Sequence, residues 1–405
     1  MKDLQAKQKK GKSLYLFSIM VLIIAFNILS YEQVKREGKT VIKENCKIVK
    51  NSREPVCGQL KLELEKDLVI GNPEDERYAF FGGITVDIDE KGNIYILDME
   101  ARRVQKFDKD GKFILSVGRK GQGPGEFENS YFFLVDEKEN IFILDYSNRK
   151  LNLFDNSGKF VQAIKLPFLV KSFSISTENH FLTHSEVFIK RGLTDAVQLL
   201  NKEGIVLKTI AEFPNIKFEV RLKKRPRFTV AFPELYLCPL KNNSAVFGYS
   251  AEYKLYKVDS KGNIIAIIEK DEPRRKVSRK EKNQVIKNLI RMYGRGDKRN
   301  EQDIRKRTFF STYKPFFDKI LADEDGCIFV RRYRIWSIKD KDIIYDFFNE
   351  KSKYLYELKV DKDPLVIRNG YLYTSEYDKT EECFKLIRYK IINWNKIKKG
   401  CTQDN

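Results

Sequence analysis

Residues 118–127 read GRKGQGPGEF, four glycines and a proline with Arg119 and Lys120 among them. A glycine-rich loop beside cations can cradle a phosphate when its free N–H groups open onto a helix N-terminus. The spacing refuses that chemistry. A dinucleotide loop needs glycine at 126, where Glu126 stands, and a P-loop needs lysine at 124, where Pro124 stands. The following FFLVD is a strand pattern. The stretch is therefore read as a crossing between sheets, its glycines permitting sharp turns.

Scarcity narrows the remaining chemistry. His180 and His184 are the only histidines in 405 residues, which rules out three-histidine zinc sites and argues against a Ser-His-Asp hydrolase. The six cysteines contain no C-x-x-C pair, so a metal knuckle has no support. Their number suits an oxidising compartment and leaves 15 connectivities open. Cys46 and Cys57 lie near the start of the body and Cys383 and Cys401 near its end, while Cys238 and Cys327 sit in apolar strand patterns, as buried thiols do. Asp98, Asp145 and Asn148 stand at the ends of strand patterns. The two aspartates recur at turn positions, where carboxylates cap backbone N–H groups, and that is the reading taken. No catalytic residue, metal ligand or cofactor is assigned.

Cations form the strongest cluster. Residues 272–308 carry 14 Lys and Arg against 5 Asp and Glu, within a chain of net charge +20. Ser278 and Glu281 form a capping box, Val285, Ile286, Leu289, Ile290 and Tyr293 make one helical stripe, and Gly294 is positioned as a C-cap. Arg274, Arg275, Lys276, Arg279, Lys280, Arg291 and Arg295 are the candidate binding residues, facing an anionic surface, a glycan or a partner protein. A second basic run, RLKKRPR, occupies residues 221–227. The opposing reading is a solvated helix packed on the body, in a sequence biased toward Lys, Ile, Asn and Phe.

The elements that position these residues come from a repeat. DEKGNIYILDMEARRVQKFDKDGKF, from Asp89, aligns without a gap on DEKENIFILDYSNRKLNLFDNSGKF, from Asp136, a shift of 47 residues. Each copy alternates polar turns with runs of period two, which is one strand after another. Repeats of this length are propeller blades. Weaker strand patterns at residues 168–214, 228–270, 316–360 and 364–392 bring the count to six, and the last holds only three strands. The alternating QLKLELE, Gln59 to Glu65, is expected to complete it and close the ring.

GQGPGEF, DEKGNIYILD, RRVQKFDKDGKF and SVG together resemble NHL-type repeats, in particular the six-bladed β-propellers exported by many bacteria. The resemblance implies an all-β, six-bladed β-propeller; it leaves function open, since such propellers include calcium-dependent lactonases and sugar-acid hydrolases, for which Asp98, Asp145 and Asn148 would be candidate oxygen ligands for calcium, beside pure binding proteins.

Lys2, Lys7, Lys9, Lys10 and Lys12 precede the uncharged run Leu14 to Leu29, the pattern of a signal peptide or signal anchor. The expected organisation is a signal or anchor segment at 1–30, a linker at 31–56, a propeller at 57–395 with the basic helical insertion 272–308, and a tail at 396–405. The expected location is outside the cytoplasm, on the membrane if the segment stays and free if it is cleaved. The expected function is a non-enzymatic ligand- or protein-binding scaffold of the cell envelope, partnered by an envelope protein or an anionic glycan or lipid surface. The alternative is a calcium-dependent lactonase or sugar-acid hydrolase-like enzyme. Nucleic acid is set aside, because an exported chain does not meet it and the aromatics follow strand alternation.

Overall fold

Strand Ile94–Asp98 is buried at all of its positions, and so is its repeat counterpart Ile141–Asp145. Both faces of such a strand must be covered, which a ring of face-packed sheets achieves. The computed structural model describes residues 39–40, 46–176, 180–189, 192–240, 242–335, 338 and 342–401. Its sheets make a six-bladed β-propeller. The expected signal or anchor segment at 1–30 lies outside the described residues, and among the described residues no helix is long and apolar enough to cross a membrane.

The innermost strands are Ile84–Ile88, Phe132–Val135, Leu169–Ile175, Leu235–Leu240, Phe317–Ala322 and Val366–Arg368. Each neighbours the next, and the last returns to the first. Apolar clusters fill the seams between blades; Tyr95, Leu97, Phe133 and Ile143 form the one between blades one and two. The glycine-rich stretch is a blade crossing, as its spacing requires. Arg119–Lys120 and Glu126–Phe127 pair in parallel, and a Cβ on Gly118 would sit 2.3 Å from the buried Phe127 ring. Glu126 accepts the N–H of Gly123 (2.9 Å) and of Arg119 Nε (2.7 Å), so the loop's donors are turned inward.

Ring closure differs from expectation. Gln59–Lys61 does not complete the last blade; it lies parallel to Tyr354–Val360 as a fifth strand of blade five. The closing strand is Leu64–Ile70, antiparallel to Cys383–Ile391. The expected linker also carries strands: Lys39–Thr40 pairs with Val206–Pro214 of blade three, and Lys47–Asn51 with Ile264–Lys270 of blade four. The alternation in QLKLELE marks strand material correctly but spans two strands of different blades. Residues 39–40 and 46–70 thus lie as a belt along the outer edges of blades three to six. Asn51 fastens it, donating to the carbonyls of Glu269 and Ser352 (both 3.2 Å) and accepting the Tyr354 N–H (2.8 Å).

Cys57 is bonded to Cys401, just past the short helix Trp394–Lys399. Cys46, Cys238, Cys327 and Cys383 are free, the last three buried. Burial pushes the Cys238 and Cys327 thiols up to about 12, which keeps them unreactive. Because the disulfide ties the belt to the last blade across 344 residues of chain, the double replacement Cys57→Ser and Cys401→Ser is expected to cost roughly 2–5 kcal/mol. Denaturant unfolding checks this, and an unchanged midpoint would mean that pairing alone holds the belt.

Candidate functional site

Chain leaving the outer strand of one blade for the inner strand of the next crosses one face of the ring. On this crossing face two connections are long. The first holds helix α1, Ile216–Lys224, and the second holds α2, Arg279–Tyr293, and α3, Lys298–Lys306. Each helix starts on a cap: Asn215 accepts from the Phe218 N–H, Ser278 and Glu281 make the capping box, and Asp297 accepts from Arg299 and Asn300. Gly294 is the C-cap of α2, and a Cβ there would meet the Ile290 carbonyl at 2.4 Å.

The two basic stretches form one lobe. Phe228–Val230 pairs in parallel with Thr308–Phe310, the Arg227 N–H donates to the Arg307 carbonyl (2.8 Å), and Arg307 Nη2 donates to the Arg225 carbonyl (2.9 Å). Val230, Val277, Val285, Leu289, Ile304 and Ile335 give the lobe its own core. The predicted stripe splits: Val285 and Leu289 are buried in that core, whereas Tyr293 rests on the Phe228 ring, centroids 5.4 Å apart.

All seven candidate binding residues are exposed. Among the described residues none of the seven has a carboxylate partner, and the same holds for Arg221, Lys223, Lys224 and Arg225. Three of the lobe's acids pair with other cations. Asp303 pairs with Arg227 (3.4 Å) and Arg307 (3.3 Å), Glu281 pairs with Lys314, and Glu272 pairs with the buried Lys270 (3.1 Å). The seven do not converge on one pocket. Lys280 and Arg291 share a solvent face of α2 with Lys287, at intervals of seven and four residues. Arg275 and Lys276 lie on the extended segment before α2, which bridges to Tyr313. Arg274, its guanidinium 5.9 Å from the Tyr313 ring centroid, lines a groove of about 320 Å³ with Lys224, Ile216, Val220, Phe232 and Phe310.

The channel mouth on the other face is acidic: Asp87, Asp89, Asp136 and Asp323 meet Arg368 around a cavity of about 330 Å³. These acids are occupied by structure. Asp89 accepts from the N–H groups of Lys91 and Asn93, and Asp136 likewise from Lys138 and Asn140. Asp87 staples blades one and two through the Val135 N–H at 2.8 Å. Of the calcium candidates, Asp98 caps a turn through Oδ1 and Asp145 through both oxygens. Asp98 accepts from Glu100 (3.0 Å) and Ala101 (3.1 Å), and Asp145 from Glu128 (3.2 Å) and both nitrogens of Asn148. Both carboxylates are fully buried.

Two buried ion networks escaped sequence reasoning, because their members are scattered among strand positions. In blade three, His184 Nε2 lies 2.9 Å from Asp195 Oδ1, and Lys171 bridges Asp195 (3.2 Å) and Glu186 (2.7 Å). Burial opposes the Asp195 charge, but His184 and Lys171 outweigh it and hold the carboxyl below its usual value. Among the described residues, Asp195 is the hydrogen-bond partner shown for the His184 ring. Between blades four and five, Asp346 takes Lys270 (2.9 Å), Arg332 (2.8 Å) and the hydroxyls of Tyr253 (2.5 Å) and Tyr354 (2.7 Å).

A model of a domain of unknown function, DUF4934, matches residues 85–400. Among solved structures, an exported protein of Bacteroides fragilis is similar over 85% of this chain and 99% of its own, at 14% identity and TM-score 0.52. A DUF4221 family member from Bacteroides vulgatus is similar over 81% of this chain and 98% of its own, at 13% identity and TM-score 0.49. A virginiamycin B lyase from Staphylococcus aureus aligns over 88% of this chain and 99% of its own, at 10% identity and TM-score 0.40. These likenesses are of fold alone. No curated protein matches the chain.

Burial works against the Asp346 charge, and Lys270 and Arg332 outweigh it, leaving the carboxyl below its usual value. The stabilisation from a depressed carboxylate is complete above the unfolded value of about 3.9 and is lost as pH falls through the folded one. Asp346→Asn is therefore expected to cost up to about 3–5 kcal/mol near neutral pH, by removing the buried carboxylate that Lys270 and Arg332 share and leaving them Glu272 and Glu357 alone. Urea unfolding near pH 7 and near pH 3 should show the gap between wild type and variant closing at the acid end. A gap that stays constant would remove Asp346 as the titrating group.

Proposed function

The chain belongs to the DUF4934 family, and we propose that it is an exported, non-enzymatic binding propeller of the cell envelope whose crossing-face lobe engages an anionic partner. In the same reading, the 47-residue repeat is of the NHL type and the uncharged run Leu14 to Leu29 directs export. The observation that carries the proposal is the union of two basic stretches, far apart in sequence, into one lobe in which the seven candidate cations and Arg221, Lys223, Lys224 and Arg225 have no carboxylate partner among the described residues. Uncompensated cations held on a rigid core attract polyanions and speed their encounter. The wide spacing of the seven residues supports an extended anionic surface or chain over a small ligand. The groove beside Lys224 and Arg274 adds apolar contact area to that surface.

The test is salt-dependent binding of the full-length chain to a sulfated polysaccharide, used as a generic polyanion. One variant carries Arg279→Gln, Lys280→Gln, Arg291→Gln and Arg295→Gln. A control removes the same charge from turns of the other face, by Lys138→Gln, Lys159→Gln, Lys261→Gln and Lys351→Gln. Four exposed pairs at roughly 0.2–1 kcal/mol each predict a loss of about fourfold to several hundredfold for the lobe variant. The control should bind like wild type. Equal losses in both variants would reduce the effect to bulk charge and sink the lobe as a site.

A further inference from the structure

The lobe has a neighbour on the crossing face that its charge does not explain. In blade three, strands Phe181–Ile189 and Gly192–Leu200 each run nine residues, against five for Ile94–Asp98. The inner strand pairs with this hairpin only as far as Leu169 opposite Glu186. Residues 187–189 therefore extend beyond it, by about 10 Å at the usual rise per residue. This extension carries two of the exposed apolar side chains of the molecule, Phe188 at 71% and Ile189 at 38% exposure. Phe188 packs edge-on to Phe218 of α1, centroids 5.9 Å apart. One turn further along α1, Leu222 is 64% exposed, and α1 buries none of its residues. Around Leu222 stand Arg221, Lys223, Lys224 and Arg225, all exposed. Apolar side chains directed outward and ringed by cations are the pattern of an element that lies in a bilayer interface.

The path of the chain points to the same surface. Lys39 pairs with Glu212 and Thr40 with Ala211, on a strand that ends at Pro214 on the crossing face. Running from 39 to 40, the belt moves away from that face, so the chain joins the propeller at its crossing-face end, beside α1. Ten residue steps separate Lys39 from Leu29, the last residue of the uncharged run. They span at most about 35 Å even when fully extended.

From these placements we infer that the crossing face is a membrane-facing surface: Phe188, Ile189 and Leu222 enter the interface of an anionic phospholipid bilayer while the cations of α1 and the lobe meet its headgroups. The inference rests on the anionic-partner reading and names its partner as lipid. Guanidinium groups, abundant in the lobe, suit phosphate geometry. One chain segment and one polybasic patch together also supply the two signals that stable membrane association requires.

The test reconstitutes the full-length chain into vesicles whose phospholipids carry brominated acyl chains, which quench nearby indole fluorescence. Tryptophan is introduced singly as Phe188→Trp, Leu222→Trp, or, on the opposite face, Ile205→Trp; all three sites are exposed. The chain's own two tryptophans set the background, read from the parent. In phosphatidylglycerol-rich vesicles the first two probes should be quenched beyond the parent and Ile205→Trp should not. Raising salt to about 1 M, where screening is nearly complete, or replacing Arg221, Lys223, Lys224 and Arg225 with Gln should relieve the quenching. By the usual gain per cation, the fourfold replacement should weaken the contact about a hundredfold or more. Equal quenching in purely zwitterionic vesicles overturns the anionic requirement. An absence of quenching at both positions overturns the membrane-facing surface. If polysaccharide binding persists in that case, the anionic-partner reading survives with a soluble glycan or protein in place of lipid; if it is lost too, both fall.

Discussion

Closure of the ring is the constraint from which the rest of this structure follows. A sheet with a free edge exposes unpaired N–H and C=O groups, and a propeller is stable only when its last blade is completed and locked to its first. The C-terminal sequence supplies just three strands for that blade, so Leu64–Ile70 must come from the other end of the chain. Once the N-terminal chain has to reach blade six, its route along blades three, four and five lets it add a further strand to each. The disulfide from Cys57 to Cys401 fixes the point where this belt meets the C-terminal helix.

A closed ring then assigns different freedom to its two faces. Turns on the acidic face are tied by aspartates such as Asp89 and Asp136 accepting successive N–H groups, and this geometry leaves little space for insertion. The crossing face tolerates long connections, because a crossing needs only to deliver the chain to the next inner strand. Two such connections flank blade four. Their neighbouring placement allows Phe228–Val230 and Thr308–Phe310 to pair, which converts two loops into a lobe with a core of its own.

Legibility in the sequence followed the range of the interactions. The capping box at Ser278 and the strands Ile94–Asp98 and Ile141–Asp145 rest on contacts between near neighbours or on a repeat, and the sequence pattern alone reveals them. The belt was misread because its strands are two to seven residues long and take their register from distant partners. Alternation in QLKLELE showed that it was strand, yet nothing local says that it divides between two blades. The seven candidate cations were legible as a charge run, and the cap and stripe placed α2 correctly. Their joining to RLKKRPR was not, since it depends on a parallel pair bridging about eighty residues. His184, noticed only for its rarity, gave no sign of Asp195 as its partner, because that pairing is set by the register of a single hairpin.

The placement of charge decides between a site and a compositional habit. A bias toward Lys, Ile, Asn and Phe yields lysines dispersed over a surface, and the ring carries such lysines singly at its turns, as at Lys138 and Lys261. It does not yield arginine. Yet eight of the 14 cations in residues 272–308 are arginine, against 24 of 77 in the whole chain, and three more stand at Arg221, Arg225 and Arg227. The two stretches together hold 11 of the 24 arginines in 44 residues. Crowding them raises self-repulsion, which works against folding, and the lobe spends buried side chains such as Leu289 and Ile304 to hold them there. On the blades the buried cations are matched, Lys270 with Asp346 and Lys106 with Glu139. Compensation is thus available to this fold, yet among the described residues Arg221, Lys223, Lys224 and Arg225 and the seven candidate cations have no carboxylate partner. The anionic partner we propose would be the physical complement of that surface.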